Sequence, residues 1–250
     1  MFVYWFFRHL VYFLLLFVGT LKTFGKENIP SSGPYIVIVN HMSKADPPLV
    51  MISMPDVQMR FFAGEYWERH LIFGPMLRWT GGIFIKRGTV DRKALAEASD
   101  SLEEGCIFGL APEGTRSRVG ELIRARNGAA YIATRVNVPI LPIGVVDTDL
   151  IARNLPKLRP TEMEVRIGQP FHLPDLDGES QSSELAAYTH YLMIHIARLL
   201  PERHWGYYAD SPALMALIND EDPWPACLEI ARSRAARTTS SGRESDSNIN

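Results

Sequence analysis

A histidine and an aspartate lie five residues apart in the stretch VIVNHMSKADPP, residues 37–48. His41 and Asp46 have the side chains of a general base, because a carboxylate fixes the tautomer of an imidazole and stabilises the imidazolium. A separation of five residues does not place two side chains on one helix face, so a folded-back loop has to bring them together. On this stretch alone, the simpler interpretation is favoured: Asp46 only caps a helix and His41 is a loop residue.

The flanking sequence predicts which elements hold this pair. Residues 35–39 form a short apolar run, typical of a strand that is buried on both faces. Pro47 suits the first position of a helix, for which Asp46 would be the N-cap. His41 is therefore predicted to lie in the loop directly after a strand.

Two further polar clusters follow apolar runs in the same way. Arg87 follows the run IFIK, and Glu113, Thr115 and Arg116 follow the run CIFGLAP. Ligands of open α/β sheets bind beyond the carboxyl ends of the strands, and the planar guanidinium of arginine suits phosphate. The three clusters together predict a base that acts on an anionic, phosphorylated substrate.

Each cluster has a simpler interpretation when it is taken alone. Arg87 would be a solvated loop residue, and Glu113 could pair with Arg116 in a surface ion pair, which stabilises little. Arg118, Arg124 and Arg126 extend the basic run. A solvated face and a patch for phosphate or anionic lipid are equally good interpretations of that run.

Strand-like and helix-like segments alternate through the body of the chain. Strands are predicted at residues 35–39, 83–86, 106–112, 138–146 and 163–168, and helices at 60–82, 90–105, 127–136 and 182–200. This alternation predicts an α/β domain around a largely parallel or mixed sheet that is flanked by helices. The aromatic residues of the first of these helices are predicted to be core rather than an acyl-chain groove: Phe61, Phe62, Tyr66, Trp67, Phe73 and Trp79.

The N-terminal residues 2–18 are apolar and aromatic except for Arg8 and His9. This run is shorter than the roughly 20 residues that span a bilayer. It predicts a helix in the membrane interface, on which Tyr4, Arg8 and Tyr12 form one polar stripe with Arg8 reaching water and lipid phosphates. Two lysines follow, which favours attachment to the cytoplasmic face of the cell membrane. The alternative is a buried core helix.

Composition fits a single medium-sized domain. Of the 250 residues, 46% are hydrophobic and 22% charged, and the net charge of −2 gives no basic field for nucleic acid. The predicted division is a membrane-associating helix and connector at 1–28, a catalytic domain at 29–231 and a disordered Ser- and Arg-rich tail at 232–250. No sheet pairing is expected before residue 29, and the two cysteines form no metal or redox pattern.

Four blocks, in this order, resemble the glycerolipid acyltransferase family, typified by the 1-acylglycerol-3-phosphate (lysophosphatidate) acyltransferases. The third block, PEGTRS, is the most specific. The blocks are N-H-x4-D at Asn40, His41 and Asp46; the arginine of GGIFIKRG at Arg87; PEGTRS at 112–117; and VPILPI at 138–143.

The resemblance implies a role for most of these residues. His41 would take the proton of an acceptor hydroxyl, and Asp46 would orient His41. Arg87, Glu113 and Arg116 would shape the site for the acceptor's phosphate.

Gly114 and Thr115, in the same block, are carried over as substrate-binding residues. The resemblance implies acyl-CoA or acyl carrier protein as the acyl donor, with no metal and no other cofactor. The expected partners are a lysophospholipid acceptor and a membrane surface, and the expected reaction gives phosphatidate.

Three departures from the family pattern leave the acceptor open. Lys86 stands where the family often has aspartate, Gly64 lies near the position of a lysine in many members, and Lys44 and Ala45 replace bulkier residues. Glycerol-3-phosphate, another lysophospholipid and a glycolipid are therefore alternative acceptors. A hydrolase is disfavoured because neither G-x-S-x-G nor H-E-x-x-H occurs, and a non-catalytic membrane-binding protein would leave the blocks unexplained.

Overall fold

The structure, a computed structural model, describes residues 2–55, 57–86, 88–175 and 181–246 of the chain. Its described strands form one seven-stranded sheet in the order β1-β7-β6-β2-β5-β3-β4. Within it, β6 and β7 pair antiparallel and every other neighbouring pair is parallel. The strands are β1 Gly19–Phe24, β2 Ile36–Val39, β3 Met59–Gly64, β4 Gly82–Ile85, β5 Ile107–Leu110, β6 Ile140–Val146 and β7 Thr161–Ile167.

Helices cover the two faces of this sheet unequally. They are α1 Phe2–Val18, α2 Asp46–Ser53, α3 Phe73–Trp79, α4 Arg92–Glu103, α5 Gly128–Val136, α6 Ile151–Asn154, α7 Gln181–Ala197, α8 Pro212–Ile218 and α9 Trp224–Asp246. The larger core lies on the face that packs against α4, α5, α7, α8 and α9, where Ile36, Ile38 and Phe108 are fully buried. On the other face, Val37 and Val145 pack against Val50 of α2. The α/β fold with a mostly parallel mixed sheet is confirmed.

The sheet contains two strands that the sequence did not predict. Residues 60–82 were predicted to be helical, but the segment begins as β3, between β5 and β4. Aromatic side chains favour strands, and pairing on both sides satisfies the backbone of β3. The connector at 1–28 was predicted to lie outside the sheet, but β1 pairs with β7 along all six of its residues.

Helix α1 is present as predicted, but its polar stripe faces the protein. Tyr4 and Arg8 are buried. The Arg8 guanidinium donates hydrogen bonds to the backbone carbonyls of Met51, Ile52, Met54 and Pro55 at the end of α2.

The expectation that Arg8 reaches water and lipid phosphates is therefore wrong. The last carbonyls of a helix lack partners within the helix and attract a cation, and Arg8 satisfies them. The Tyr12 hydroxyl also donates to Ile52 O, at 2.8 Å. Among the described helices, none has the length and apolar character needed to cross a membrane.

Helix α9 runs into the segment that was predicted to be disordered. The helix continues to Asp246, so the prediction of a disordered tail at 232–250 is corrected up to that residue, and residues 247–250 lie outside the described part of the chain. Cys227 and Ala231 are buried, and the Arg234 guanidinium lies 5.2 Å from the centre of the Tyr207 ring. These contacts hold the first turns of α9 against the domain.

Candidate active site

The folded-back loop predicted between β2 and α2 brings His41 and Asp46 together. His41 Nδ1 lies 2.8 Å from Asp46 Oδ2. A carboxylate only accepts hydrogen bonds, so Nδ1 carries the hydrogen and Nε2 is left as an acceptor. The His41 side chain is 13% exposed and lines a groove in the protein surface. This is the geometry of a general base whose basic atom is Nε2.

Asp46 is the centre of the loop rather than a cap. Helix α2 begins at Asp46, and the N-cap residue is Ala45, which makes no side-chain capping bond. The prediction of Asp46 as N-cap is therefore wrong. Its buried Oδ2 accepts from the backbone N–H groups of Met42 and Ser43, both at 2.7 Å, as well as from His41. The loop folds back on itself because these three donors, from residues 41–43, all bind the same carboxylate oxygen.

The second oxygen of Asp46 has a partner that sequence reasoning missed. The buried Thr148 hydroxyl donates to Asp46 Oδ1 at 2.5 Å. Thr148 follows β6, which is the sheet neighbour of β2. The available signal was its position: like the three predicted clusters, it comes directly after a predicted strand.

Asn40 explains why His41 emerges from the sheet where it does. The Asn40 side chain is fully buried, donates to Val145 O at 2.8 Å and accepts from Val145 N at 2.7 Å. Val39 is the last residue of β2 that pairs with β6. At the next residue, these two side-chain bonds take the place of backbone hydrogen bonds between the strands. The chain is thereby free to turn at His41.

Glu113 braces the backbone of His41. Its side chain is 1% exposed; Oε1 accepts from His41 N at 2.8 Å and Oε2 accepts from Ile123 N at 3.1 Å. Ser117 N donates to His41 O at 2.7 Å, so both polar atoms of the His41 peptide are held by the third block. The surface ion pair between Glu113 and Arg116 does not form. Whether Glu113 also contacts a substrate stays a prediction.

Burial raises the pKa of Glu113 to about 7, and the negative charge of Asp46 adds to the rise, while the two backbone N–H donors oppose it. The folded protein therefore holds a proton here, between pH of about 4.5 and about 7, where the unfolded chain has lost it. The stability that this carboxyl contributes thus falls as the pH rises through that window.

Glu113→Gln is expected to remove this pH dependence and to lower activity. The amide offers one oxygen, so either His41 N or Ile123 N loses its acceptor. Because only the wild type loses this stability as the pH rises, the variant's melting temperature relative to wild type should increase from pH of about 4.5 to about 7. Calorimetry across that range measures the difference, and a constant difference would contradict the assignment.

The remaining residues of the third block lie differently. Gly114 has φ +68° and lines the groove; a Cβ there would lie 3.1 Å from Arg126 Cδ, so glycine suits both the turn and the contact. Arg116 and Arg126 also line the groove, and neither has an ion-pair partner among the described residues. The Thr115 side chain is exposed, outside the groove. Substrate binding by these residues stays a prediction.

Arg87, from the second block, lies outside the described residues. Its neighbours in sequence, Lys86 and Gly88, line the groove. The role of Arg87 therefore stays a prediction from the sequence.

The groove beside His41 has a volume of about 1090 Å³, which is at the upper end of the range for small-molecule sites. Its lining includes residues of α1 and α2 and also Leu95 of α4 and Ala129 of α5, which belong to the larger core on the other face of the sheet. Away from His41 its lining is mainly apolar and includes Val11, Val37, Val50, Phe61, Met76 and Leu77. At Gly109 of β5, a Cβ would come within 2.8 Å of Met59 Sδ, so glycine leaves room for Met59 to lie across the strand.

The aromatic residues of 60–82 are mostly part of this groove. Phe61, Tyr66, Trp67 and Phe73 line it, and Trp79 is 63% exposed. The prediction that they form core is wrong for these residues. Phe62 lines the groove and also packs edge-to-face on the core residue Phe108, with ring centres 4.9 Å apart.

The site therefore joins a general base to an apolar groove and to unpaired arginines. Within the described part of the chain, no cluster of three or more His, Cys, Asp or Glu side chains could hold a metal ion. Such a site can deprotonate a hydroxyl while it holds an apolar chain and an anionic group.

Comparison with known proteins places the chain in a family. The profile of the Acyltransferase family matches residues 21–146, half of the chain, and the chain belongs to this family. It is similar to the crystal structure of the 1-acyl-sn-glycerophosphate (LPA) acyltransferase PlsC from Thermotoga maritima. The TM-score is 0.59, the identity is 27%, and the match covers 76% of each chain.

Two curated relatives carry the name 1-acyl-sn-glycerol-3-phosphate acyltransferase. The Bacillus subtilis protein is 23% identical over 181 residues, which cover 72% of this chain and 88% of the relative. The Borreliella burgdorferi protein is 31% identical over 127 residues, and there the match spans only 50% of each protein.

Proposed function

We propose that this protein is an O-acyltransferase that moves a fatty acyl chain from a thioester donor to the sn-2 hydroxyl of lysophosphatidate, giving phosphatidate. The observation that carries the proposal is that His41 lines an apolar groove while its Nδ1 is held by the buried Asp46, which leaves Nε2 as the basic atom. The names of the relatives in the same family support the acceptor.

The chemistry is an acyl transfer in two steps. His41 Nε2 takes the proton of the acceptor hydroxyl as its oxygen attacks the thioester carbonyl, and Asp46 stabilises the imidazolium that forms. The tetrahedral intermediate then collapses, the carbon–sulfur bond breaks, and the thiolate leaves with the proton that His41 held. The products are an ester and a free thiol.

The groove and its arginines suggest where the substrates bind. The apolar lining suits the acyl chain that is transferred. Arg116 and Arg126 suit a phosphate, because their guanidinium groups have no partner among the described residues. The donor is acyl-CoA or acyl carrier protein, and the reaction as proposed needs no metal and no further cofactor.

An acceptor panel tests this function. Purified protein is incubated with acyl-CoA and with lysophosphatidate, glycerol-3-phosphate, other lysophospholipids or a monoacylglycerol, and the products are identified by mass. We expect phosphatidate as the main product. A different acylated lipid as the main product would replace lysophosphatidate by that acceptor, and release of free fatty acid alone would indicate a hydrolase.

Arg116→Ala is the variant that tests the phosphate site. We expect kcat/KM for lysophosphatidate to fall by about ten-fold or more, and to fall less for monoacylglycerol, because a charge-assisted bond to phosphate is lost. Arg118→Ala is the matched control, since Arg118 is exposed on the same loop but does not line the groove. Equal losses for both acceptors would show that Arg116 is structural or serves the donor; the same comparison applies to Arg87→Ala.

We also propose that α1 attaches the protein to the cytoplasmic face of the cell membrane. The side of α1 that faces away from the protein is apolar, with Trp5, Phe13, Leu16 and Phe17 all more than half exposed. The other side lines the groove through Tyr4, Phe7 and Val11. A bilayer on the outer side would bring an acceptor lipid close to the groove.

A further inference from the structure

Lys44 is the one charged side chain between His41 and Asp46. It lines the groove, and its ammonium lies 5.7 Å from the centre of the Trp67 ring. No ion pair or hydrogen bond joins its ammonium to another described residue. An exposed cation held against a ring beside the general base has no evident structural purpose.

Four hydrogen bonds hold the backbone of the loop that carries Lys44. Asp46 Oδ2 holds the backbone N–H groups of Met42 and Ser43, Ala45 N donates to Ser43 Oγ at 3.2 Å, and Asp46 N donates to Ser43 O at 3.4 Å. The backbone on both sides of Lys44 is therefore fixed relative to His41. A ligand bound by Lys44 loses little loop freedom on binding.

The ring that holds the ammonium is also fixed. Trp67 packs edge-to-face on Phe73, with ring centres 4.9 Å apart, and its ring centre lies 4.8 Å from that of Tyr66. The ring face attracts the ammonium through a cation–π contact. The N–H groups of the ammonium that point away from the ring form no hydrogen bond with it. Those donors remain available for an anion in the groove.

Charge at this end of the groove favours an anion. Lys44, Arg116 and Arg126 all line it without an ion-pair partner among the described residues. Of the acidic residues that line it, Asp46 accepts hydrogen bonds from the loop and from Thr148, and Asp91 accepts from the backbone N–H groups of Lys86 and Ala94. Neither carboxylate forms an ion pair with Lys44, Arg116 or Arg126.

We propose that Lys44 is a specificity-determining residue that binds a substrate phosphate next to His41, with Trp67 holding its side chain in place. The proposal rests on the proposed acyl transfer. Two sources can supply this phosphate: the headgroup of the acceptor, or the phosphates of the donor's CoA or phosphopantetheine group. Lysine binds phosphate as a compact point charge, so removal of its charge should weaken binding rather than chemistry.

Lys44→Met tests the proposal because methionine keeps an unbranched stem against Trp67 and removes only the charge. We expect KM for the phosphate-bearing substrate to rise by about ten-fold, with kcat and the melting temperature close to wild type. Lys44→Arg, which keeps a cation, should restore KM. Lys157→Met is the control for the loss of one exposed lysine, since Lys157 does not line the groove.

The KM values for the acceptor and for the donor show which of the two substrates carries the phosphate that Lys44 binds. A higher KM for lysophosphatidate with an unchanged KM for acyl-CoA would assign Lys44 to the acceptor. A higher KM for acyl-CoA, with S-acylpantetheine unaffected because it lacks phosphate, would assign it to the donor. A variant that keeps both KM values, or that loses only kcat or stability, would overturn the proposal.

A binding measurement separates this proposal from the proposed function. Calorimetric titration of wild type and Lys44→Met with glycerol-3-phosphate and with CoA needs no turnover. Weaker binding of either probe by the variant supports the assignment even if no acyl transfer is found. If Lys44→Met binds each probe as tightly as wild type does, the assignment is contradicted even if the wild type is active.

Discussion

His41→Ala is expected to abolish nearly all acyl transfer and to leave the fold intact. A positioned general base contributes typically about 10²–10⁴ in rate, and no other imidazole lines the groove among the described residues. The imidazole makes a single hydrogen bond, to Asp46, whereas the bonds that hold the loop to Glu113 and Ser117 use the His41 backbone, which alanine keeps. Initial rates and melting temperature, measured on the same preparation, test both expectations.

Asp46→Asn is the matched variant for this experiment. Its activity should also fall, because an amide cannot accept as many bonds as Oδ2 and Oδ1 accept from the loop and from Thr148. Unlike His41→Ala, it should lose stability, by more than the roughly 1 kcal/mol of a lost helix cap.

Wild-type turnover in His41→Ala would mean that the base is another group.

The candidate site could be predicted from the sequence to the extent that its residues follow strand ends. His41, Glu113 and Arg116 all follow strands that are neighbours in the sheet, so the rule on strand ends placed them together before their contacts were known. The specific partners could not be predicted. Asp46 had one obvious local role, as a cap, and its actual role depends on loop amides whose direction only the folded chain fixes.

The unpredicted parts of the fold depend on contacts between distant segments. Residues of β3 have no clear alternation, and their strand exists because β5 and β4 pair with it on both sides. The partner of Arg8 is a helix end more than 40 residues away. From the sequence, a charged Arg8 within an apolar helix predicted that its side chain would reach water. No local sequence pattern indicated that it would bind the carbonyls at the end of α2.

The two faces of α1 are expected to have separate effects on the protein. The inner face is structural: Arg8→Met would remove the hydrogen bonds that the carbonyls of Met51 and Met54 accept at the end of α2, and an unsatisfied buried group costs about 1–3 kcal/mol. We expect a lower free energy of unfolding in denaturant titration. Since α2 begins at Asp46, activity should fall with it.

The outer face is expected to control membrane binding alone. Phe13 and Phe17 are 56% and 69% exposed, and their rings pack on each other with centres 5.2 Å apart. The double variant Phe13→Ser, Phe17→Ser should bind vesicles containing anionic lipid at least about ten-fold more weakly, because two apolar side chains no longer enter the interface. Its unfolding free energy should match wild type.

These point variants separate membrane binding from stability, which deletion of residues 1–20 would not. Such a deletion would remove the donors of Arg8 and also Gly19 and Thr20, which pair with Thr161 and Glu162 at the start of β1. Lost membrane binding could then follow from damage to the sheet. With point variants, unchanged vesicle binding in Phe13→Ser, Phe17→Ser would move the attachment elsewhere. The next surface to test is the one around Leu71 and Ile72, which are 92% and 71% exposed beside the groove wall at α3.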